Sequence, residues 1–414
     1  MVINAMTQKS GRGKPLYFTV DLMLTEDNDV RILELNDGFA SGFTGYDRAY
    51  GQNYKYNLED AFIEKHGIIL DALNRDYLFA LMLESKYVFD AFIPDELRPL
   101  LPKTRAYAVC PGEEQGSKIQ DDFKGTSDVI VKGSTGRAGM EVFLIALSDL
   151  MLTASPAQLN ILLRMHRNLG PFSYGSMAIS NAVVQEVIRP GPVFVDTRPY
   201  LGTIRVGVLA VPDAKGCYSL KITGHDEEGN GYYKLPNKPA PARGETLREE
   251  SLKSDISAYP VSAPLGKKDL QHIKAELDRF LLPALEKYMS TDLSQKLTMA
   301  LDGDENKFIA ALIAVQNMNS ENMEGQYLSD AFYKKLGERL PAMCLKNPYI
   351  YTAFVQPCFH LYDPNVREIF NSLREDSAFT ADLNQSIAQR FYNKEAFDVP
   401  LQRAEFNSNR PDFR

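Results

Sequence analysis

The chain has 414 residues, 44% hydrophobic and 24% charged, with a formal net charge of -8; this is the composition of a globular protein long enough for two or three domains, each with its own core. The acidic balance argues against an extended nucleic-acid surface and leaves room for a local basic pocket that holds phosphates. No charged start leads into an apolar leader and no apolar run is long enough to span a bilayer, so a soluble chain is expected, with neither nucleic acid nor membrane as its partner.

Cys110, Cys217, Cys344 and Cys358 form no C-x-x-C pair, and only Cys358 has a histidine near it, His360. They read as free thiols of a cytoplasmic protein, although an effector exported by another route would have the same composition.

Residues up to Pro15 are polar and rich in Gly, Lys and Ser, which predicts a flexible lead. Residues 18–36 carry two alternating apolar runs around Glu26-Asp27-Asn28-Asp29, the pattern of a β-hairpin. Asp21 lies in the first run, and Glu34 and Asn36 stand two apart on the second, facing the same way. Two carboxylates and an amide oxygen are hard ligands of the kind Mg²⁺ takes beside nucleotide phosphates, and equally they suit a solvated strand face. The glycines of residues 37–46 fit a close backbone approach or a plain turn. Tyr46, Tyr50, Tyr54 and Tyr56, with Arg48 and Lys55, either line a substrate pocket or pack their loop onto its own domain.

Three- and four-residue apolar steps over residues 58–84 predict one or two helices. Lys86 heads a stretch broken by Pro94, Pro99 and Pro102, a candidate domain boundary. In residues 128–139 a β-branched run ends at Lys132 and gives way to Gly133, Gly136 and Gly139 with two hydroxyls. Such a loop offers backbone N–H groups to phosphate oxygens, with the lysine adding charge; it also suits a glycine-rich turn. The lysine precedes the glycines, so the loop is not a Walker A, and the dinucleotide G-x-G-x-x-G is absent.

Residues 140–169 read as helix in two pieces, divided near Ser155-Pro156. The strand over 182–188 carries Gln185, Glu186, Val187 and Ile188 into the rigid Arg189-Pro190-Gly191-Pro192, which is either a plain strand and turn or a hinge whose backbone suits an adenine edge. The strand over 203–211 places Arg205 among apolar residues, where it either faces solvent, as strand arginines commonly do, or points inward to stabilise charge on a transferring phosphoryl group; Arg198 is its rival. The polar stretch 225–263, with Asn237, has no assigned role.

The order of lysine and glycine-rich loop, Val-Gln-Glu-Val-Ile hinge and arginine-bearing strand resembles the ATP-grasp superfamily. In that family a helix, here residues 269–288, leads to a strand pair bearing Asp and then Glu-x-Asn. No such pair follows it; the hairpin at the start of the chain is the match, which is a circular permutation of the usual order. The resemblance covers residues 18–288 by motif order and residue type. It implies Asp21, Glu34 and Asn36 as magnesium ligands, Lys132 and Lys86 on ATP phosphates, and Gly133, Gly136 and Gly139 as a lid loop. It further implies Gln185, Glu186, Val187 and Ile188 on adenine, with Asp196 standing in for the missing ribose acid.

Residues 292–317, 327–340 and 366–391 have helical periodicity interrupted by Pro341, Pro348, Pro357 and Pro364, before a polar end at 403–414. The expected fold is α+β, an ATP-grasp core with permuted strand order and a helical C-terminal region. Its expected parts are 1–100 with the metal hairpin, 101–200 as lid subdomain, 201–290 as the rest of the core, and 291–414 as the helical region, which recognises a substrate, dimerises or covers the core.

The activity implied by the resemblance is that of a Mg-ATP-dependent ligase joining a carboxylate, activated as an acyl phosphate, to an amine of a small molecule or peptide. The alternatives are a phosphotransferase on the same scaffold and a nucleotide-binding interaction protein without turnover. No Ser-His-Asp or Cys-His arrangement points to a protein nucleophile.

Overall fold

The computed structural model describes residues 15–37, 45–51, 76–109, 115–133, 142–147, 180–224, 227–236, 238–241, 262–319, 323, 328–358 and 361–392. Gly136, Gly139, Tyr54, Tyr56, Asn237 and His360 lie outside the described residues, as do most of 225–263, residues 148–169 of the expected helices, and both polar ends.

The first strand, β1 (Leu16–Leu24), sets the architecture by alternation. Leu16, Phe18, Val20 and Leu22 are fully buried in the main apolar core, so Tyr17, Thr19 and Asp21 point to the opposite face. Its antiparallel neighbour β2 (Val30–Asp37) is reached through a turn in which Asn28 takes the left-handed conformation (φ 64°). On the other side β1 pairs with β9 (Thr203–Pro212), which in turn pairs with β10 (Tyr218–Ile222) and β11 (Gly231–Lys234). β12 (Ser262–Pro264) closes the sheet beyond β11.

A second antiparallel sheet has the order β3-β6-β4-β5, from β3 (Thr104–Val109), β4 (Asp128–Gly133), β5 (Val142–Ala146) and β6 (Ser180–Glu186). One of its faces buries Tyr107, Val129, Val131 and Val184 with Ile119 of α3 (Gln115–Asp122) and Phe123. The other carries Thr104, Lys132, Val183 and Gln185. The short hairpin of β7 (Val193–Val195) and β8 (Arg198–Tyr200) turns through Asp196 and Thr197, both at positive φ.

Between the sheets run α1 (Tyr77–Glu84) and α2 (Lys86–Phe92), capped by the side chains of Asp76 and Ser85. A 3₁₀ turn, Asp95–Leu100, leads from α2 to β3. The helix expected over 269–288 runs as α4 (Lys267–Glu276), a π turn at Leu277–Leu281 and α5 (Leu282–Ser290). His272 Nε2 lies 2.9 Å from the Asn28 carbonyl oxygen and so ties this helix to the first hairpin.

The C-terminal helices are α6 (Leu293–Asp302), α7 (Glu305–Gln316), α8 (Asp330–Lys346), α9 (Pro364–Glu375) and α10 (Ser377–Tyr392). They share one core with the large sheet: Phe308, Ala311, Leu336 and Phe370 belong to the same cluster as Phe18 and Val206. α7 also braces α2, where Tyr87 donates to Asn306 Oδ1 at 3.0 Å and Asn306 donates to the Ala106 carbonyl at 2.7 Å.

The chain is thus α+β, with mixed helices and antiparallel sheets. None of the described helices is long and apolar enough to cross a membrane.

Two expectations are corrected. Residues 142–146, read as the start of a helix, form β5, because Val142-Phe143-Leu144-Ile145-Ala146 pairs along β4 from Lys132↔Val142 to Asp128↔Ala146. Pro341 does not end its helix: α8 runs through it to Lys346. Burial of Leu336, Leu340, Met343 and Cys344 along one face outweighs the lost backbone hydrogen bond.

Candidate functional site

The site starts from an irregularity in β2. Ile32, Glu34 and Asn36 are spaced by two and in a regular strand would share one face. The pairing shifts between Asp21↔Glu34 and Leu22↔Ile32, which leaves Leu33 as an extra residue. This bulge sends Ile32 into the core and turns Glu34 and Asn36 to the face of Asp21.

Register then aligns a row across four strands. Glu34 lies opposite Asp21, Asp21 opposite Arg205, and Arg205 opposite Tyr232. Adjacent strands are about 4.8 Å apart, so neighbours in this row are in reach of one another. Arg205 grips Asp21 in a fork, Nε to Oδ1 at 2.5 Å and Nη2 to Oδ2 at 2.6 Å. Lys234, two residues from Tyr232 on β11, adds Nζ to Oδ2 at 2.6 Å. Asn36 turns its amide nitrogen to the same oxygen at 3.4 Å. Sequence reading overlooked Lys234, whose only signal is a lysine closing a short aromatic strand.

The small sheet contributes the opposite wall. Lys132, 8% exposed, donates to Gln185 Oε1 at 2.8 Å, and Gln185 donates to Thr104 Oγ1 at 3.2 Å. Lys86, the first residue of α2, sits 3.4 Å from Glu34 Oε2. A cation at a helix N-terminus opposes the helix dipole, which makes this lysine poor for helix stability and well placed to meet an anion.

Between the walls lies a cleft with about 450 Å³ of free space, part of it open to solvent. Glu34, Lys86, Asp90, Lys132, Thr104 and Gln185 supply its polar lining; Met82, Phe89, Leu101 and Val183 are among its apolar residues. An apolar body with a few convergent polar groups is the ordinary make-up of a small-molecule site.

The charges shape one another. Burial would raise the Asp21 carboxyl, but Arg205 and Lys234 hold it well below the usual carboxylate range. Burial acts likewise on Glu34, and Lys86, with Lys132 and Lys234, keeps it below its ordinary value. Lys132 is pushed down to about 8 by burial, against the pull of Glu34. Lys234 is lowered by burial and by Arg205, while Asp21 counters. Arg205 is raised, because Asp21 outweighs the cost of its burial. Tyr232 is pushed up to about 12 by burial, with Arg205 opposing.

The structure thus brings together Asp21, Glu34, Asn36, Lys86, Lys132, Gln185 and Arg205. Gly133 ends β4 beside Lys132. Glu186 is occupied at the strand end: its Oε1 accepts from the Lys103 amide at 2.7 Å, and its own amide donates to the Lys103 carbonyl at 2.9 Å. Val187 and Ile188 follow the strand outside regular secondary structure, half-buried and outside the cleft lining. Arg198 and Asp196 are exposed on the β7–β8 hairpin, outside the charged cluster.

Asp21, Glu34 and Asn36 have the donor chemistry of a hard-cation site. No three His, Cys, Asp or Glu side chains gather among the described residues. A cation here would therefore complete its oxygen shell from ligand oxygens and water, the habit of Mg²⁺. The fit has conditions: Asp21 is held on both oxygens by Arg205 and on Oδ2 also by Lys234, Glu34 faces Lys86, and Asn36 must rotate its amide to present oxygen.

No family model matches the chain, and neither a curated protein nor a solved structure matches it.

Proposed function

We propose that the chain is a Mg-ATP-dependent ligase of the ATP-grasp type, which activates a carboxylate as an acyl phosphate and passes the acyl group to an amine or similar nucleophile. The observation that carries this reading is a charge imbalance. Four cations, Lys86, Lys132, Arg205 and Lys234, interact with two carboxylates, Asp21 and Glu34, beside the cleft of a chain whose net charge is -8, and Asp90, the other carboxylate of the cleft lining, is already paired with Arg98 at 2.6 Å. A largely buried site with a surplus of two positive charges favours a polyanion, and the apolar wall beside it suits a flat ring.

The topology supports the permuted order. The N-terminal hairpin pairs directly with β9, in the sheet that also holds β11, while the helix over 267–290 leads on into helices. On the ATP-grasp reading, this hairpin takes the place of the strand pair that the family's order puts after the helix.

On this reading Lys132 and Lys86 hold triphosphate oxygens, and Met82, Phe89, Leu101 and Val183 enclose the base. Magnesium, held by Asp21, Glu34 and Asn36, would spread charge on the phosphate oxygens. Arg205 orients Asp21 through its two bonds. An oxygen of the acid attacks the γ-phosphorus as the bond to ADP breaks; the amine then attacks the acyl carbon, loses its proton and expels phosphate.

A thermal-shift titration with Mg-ATP tests the reading on the parent and on Glu34→Ala. Nucleotide is expected to raise the melting temperature of the parent and to do so less in the variant; a parent that does not respond refutes it. Product analysis separates ligase from phosphotransferase, since only the ligase releases free phosphate on addition of both acid and amine.

A further inference from the structure

Three features of Asp21 stand apart from the nucleotide cleft. An ionised carboxylate offers about four acceptor positions. Arg205 takes one on each oxygen, and Lys234 takes another on Oδ2. Oδ2 is also the oxygen toward which Asn36 turns, on the side that Asp21 and Asn36 share. The lysine ammonium thus stands where a cation bridging these residues needs to be.

The two basic partners are not equally held. Arg205 is bound in a fork by a rigid guanidinium and its side chain is 10% exposed. Lys234 makes a single bond to Asp21 from a flexible four-carbon stem, and its side chain is 21% exposed. Lys234 is the partner that can leave. Next to this pair Thr19, on the same face as Asp21 and opposite Asn36, is 2% exposed, and its Oγ1 has no hydrogen-bond partner among the described residues. A buried hydroxyl of this kind is satisfied by the water shell of a bound cation.

We propose that Lys234 is a latch on the cation site: its ammonium stands in for a divalent cation on Asp21 Oδ2, and cation binding expels it toward the phosphates of the nucleotide. The inference rests on the reading of Asp21, Glu34 and Asn36 as metal ligands. An ammonium and a divalent cation repel one another, so both cannot share Oδ2. The expelled lysine is stabilised when a polyanion receives it, which makes cation and polyphosphate binding mutually reinforcing. Arg205 keeps Asp21 oriented throughout.

The test uses the full chain with Mn²⁺ alone, followed by magnetic relaxation of bulk water, and thermal shift with Mn²⁺ and inorganic triphosphate. In Lys234→Met, Mn²⁺ alone is expected to bind about tenfold more tightly than to the parent, the change expected if the site is competent about a tenth of the time when latched. Lys234→Gln should behave alike, and Lys234→Arg should bind as weakly as the parent. In the parent the two ligands together should raise the melting temperature by more than the sum of their separate effects; in Lys234→Met this excess should shrink to the part that triphosphate oxygens on the metal supply. Equal or weaker Mn²⁺ binding by both neutral variants overturns the latch. Absence of Mn²⁺ binding to every form, with or without triphosphate, overturns the metal reading beneath it.

Discussion

The two walls of the cleft solve the problem of buried charge in opposite ways. On the large sheet each charge meets its opposite: Arg205 and Lys234 share Asp21, and Glu34 faces Lys86 of α2. On the small sheet Lys132 is as deeply buried and has only the neutral oxygen of Gln185, with no carboxylate within ion-pair distance among the described residues. The first wall is a closed network whose members support one another. The second carries a charge without an ion-pair partner among the described residues; burial lowers the lysine despite the pull of Glu34, and an anionic ligand relieves the cost.

Removing Asp21 attacks the closed wall and should have the largest effect. Asp21→Ala leaves Arg205 and Lys234 buried against each other, and chemical denaturation should register a loss of about 3–5 kcal/mol. A loss below about 1 kcal/mol, the worth of an exposed ion pair, would mean that the network is not a closed one.

Removing Lys132 attacks the open wall. Lys132→Met should cost polyphosphate binding about 2–5 kcal/mol by calorimetry while leaving unfolding stability unchanged or higher. A variant that binds as well as the parent would remove the contrast between the walls.

The smallest and sharpest difference lies in pH. Lys132 ionises at about 8 in the fold against 10.5 when unperturbed, so between these values the unfolded chain holds more proton. Its penalty on folding is full below about pH 8 and is relieved as pH rises toward about 10.5. Stability of the ligand-free parent relative to Lys132→Met should therefore rise over this window, while polyphosphate affinity falls over the same range. A difference profile flat in pH would show that the lysine is not poised.

How much of this was legible in advance follows the range of the interactions. The hairpin, the strand over 203–212 and the helix over 267–290 are local patterns, readable from alternation, turn residues and apolar steps. Residues 142–146 misled because a short apolar run serves strand or helix alike, and the edge of β4 decided between them. Pro341 misled because a rule about one backbone bond was outweighed by packing from distant helices. Arg205 was visible as an odd residue in an apolar strand, whereas its partner Asp21 lies 184 positions away and was paired with it only by register.

By itself, then, the sequence determined the strands and helices with a clear local period and the residue types available for chemistry, because both depend on neighbours a few positions apart. It held Asp21, Glu34, Asn36 and Lys132 as candidates without saying that they meet. Tertiary structure decided the bulge at Leu33 that turns Glu34 and Asn36 out of the core, the register that joins Asp21 to Arg205, and the arrival of Lys234 at the same oxygen. Each of these is a relation between strands distant in the chain, fixed by how two sheets and their helices share one core, and no local pattern encodes it.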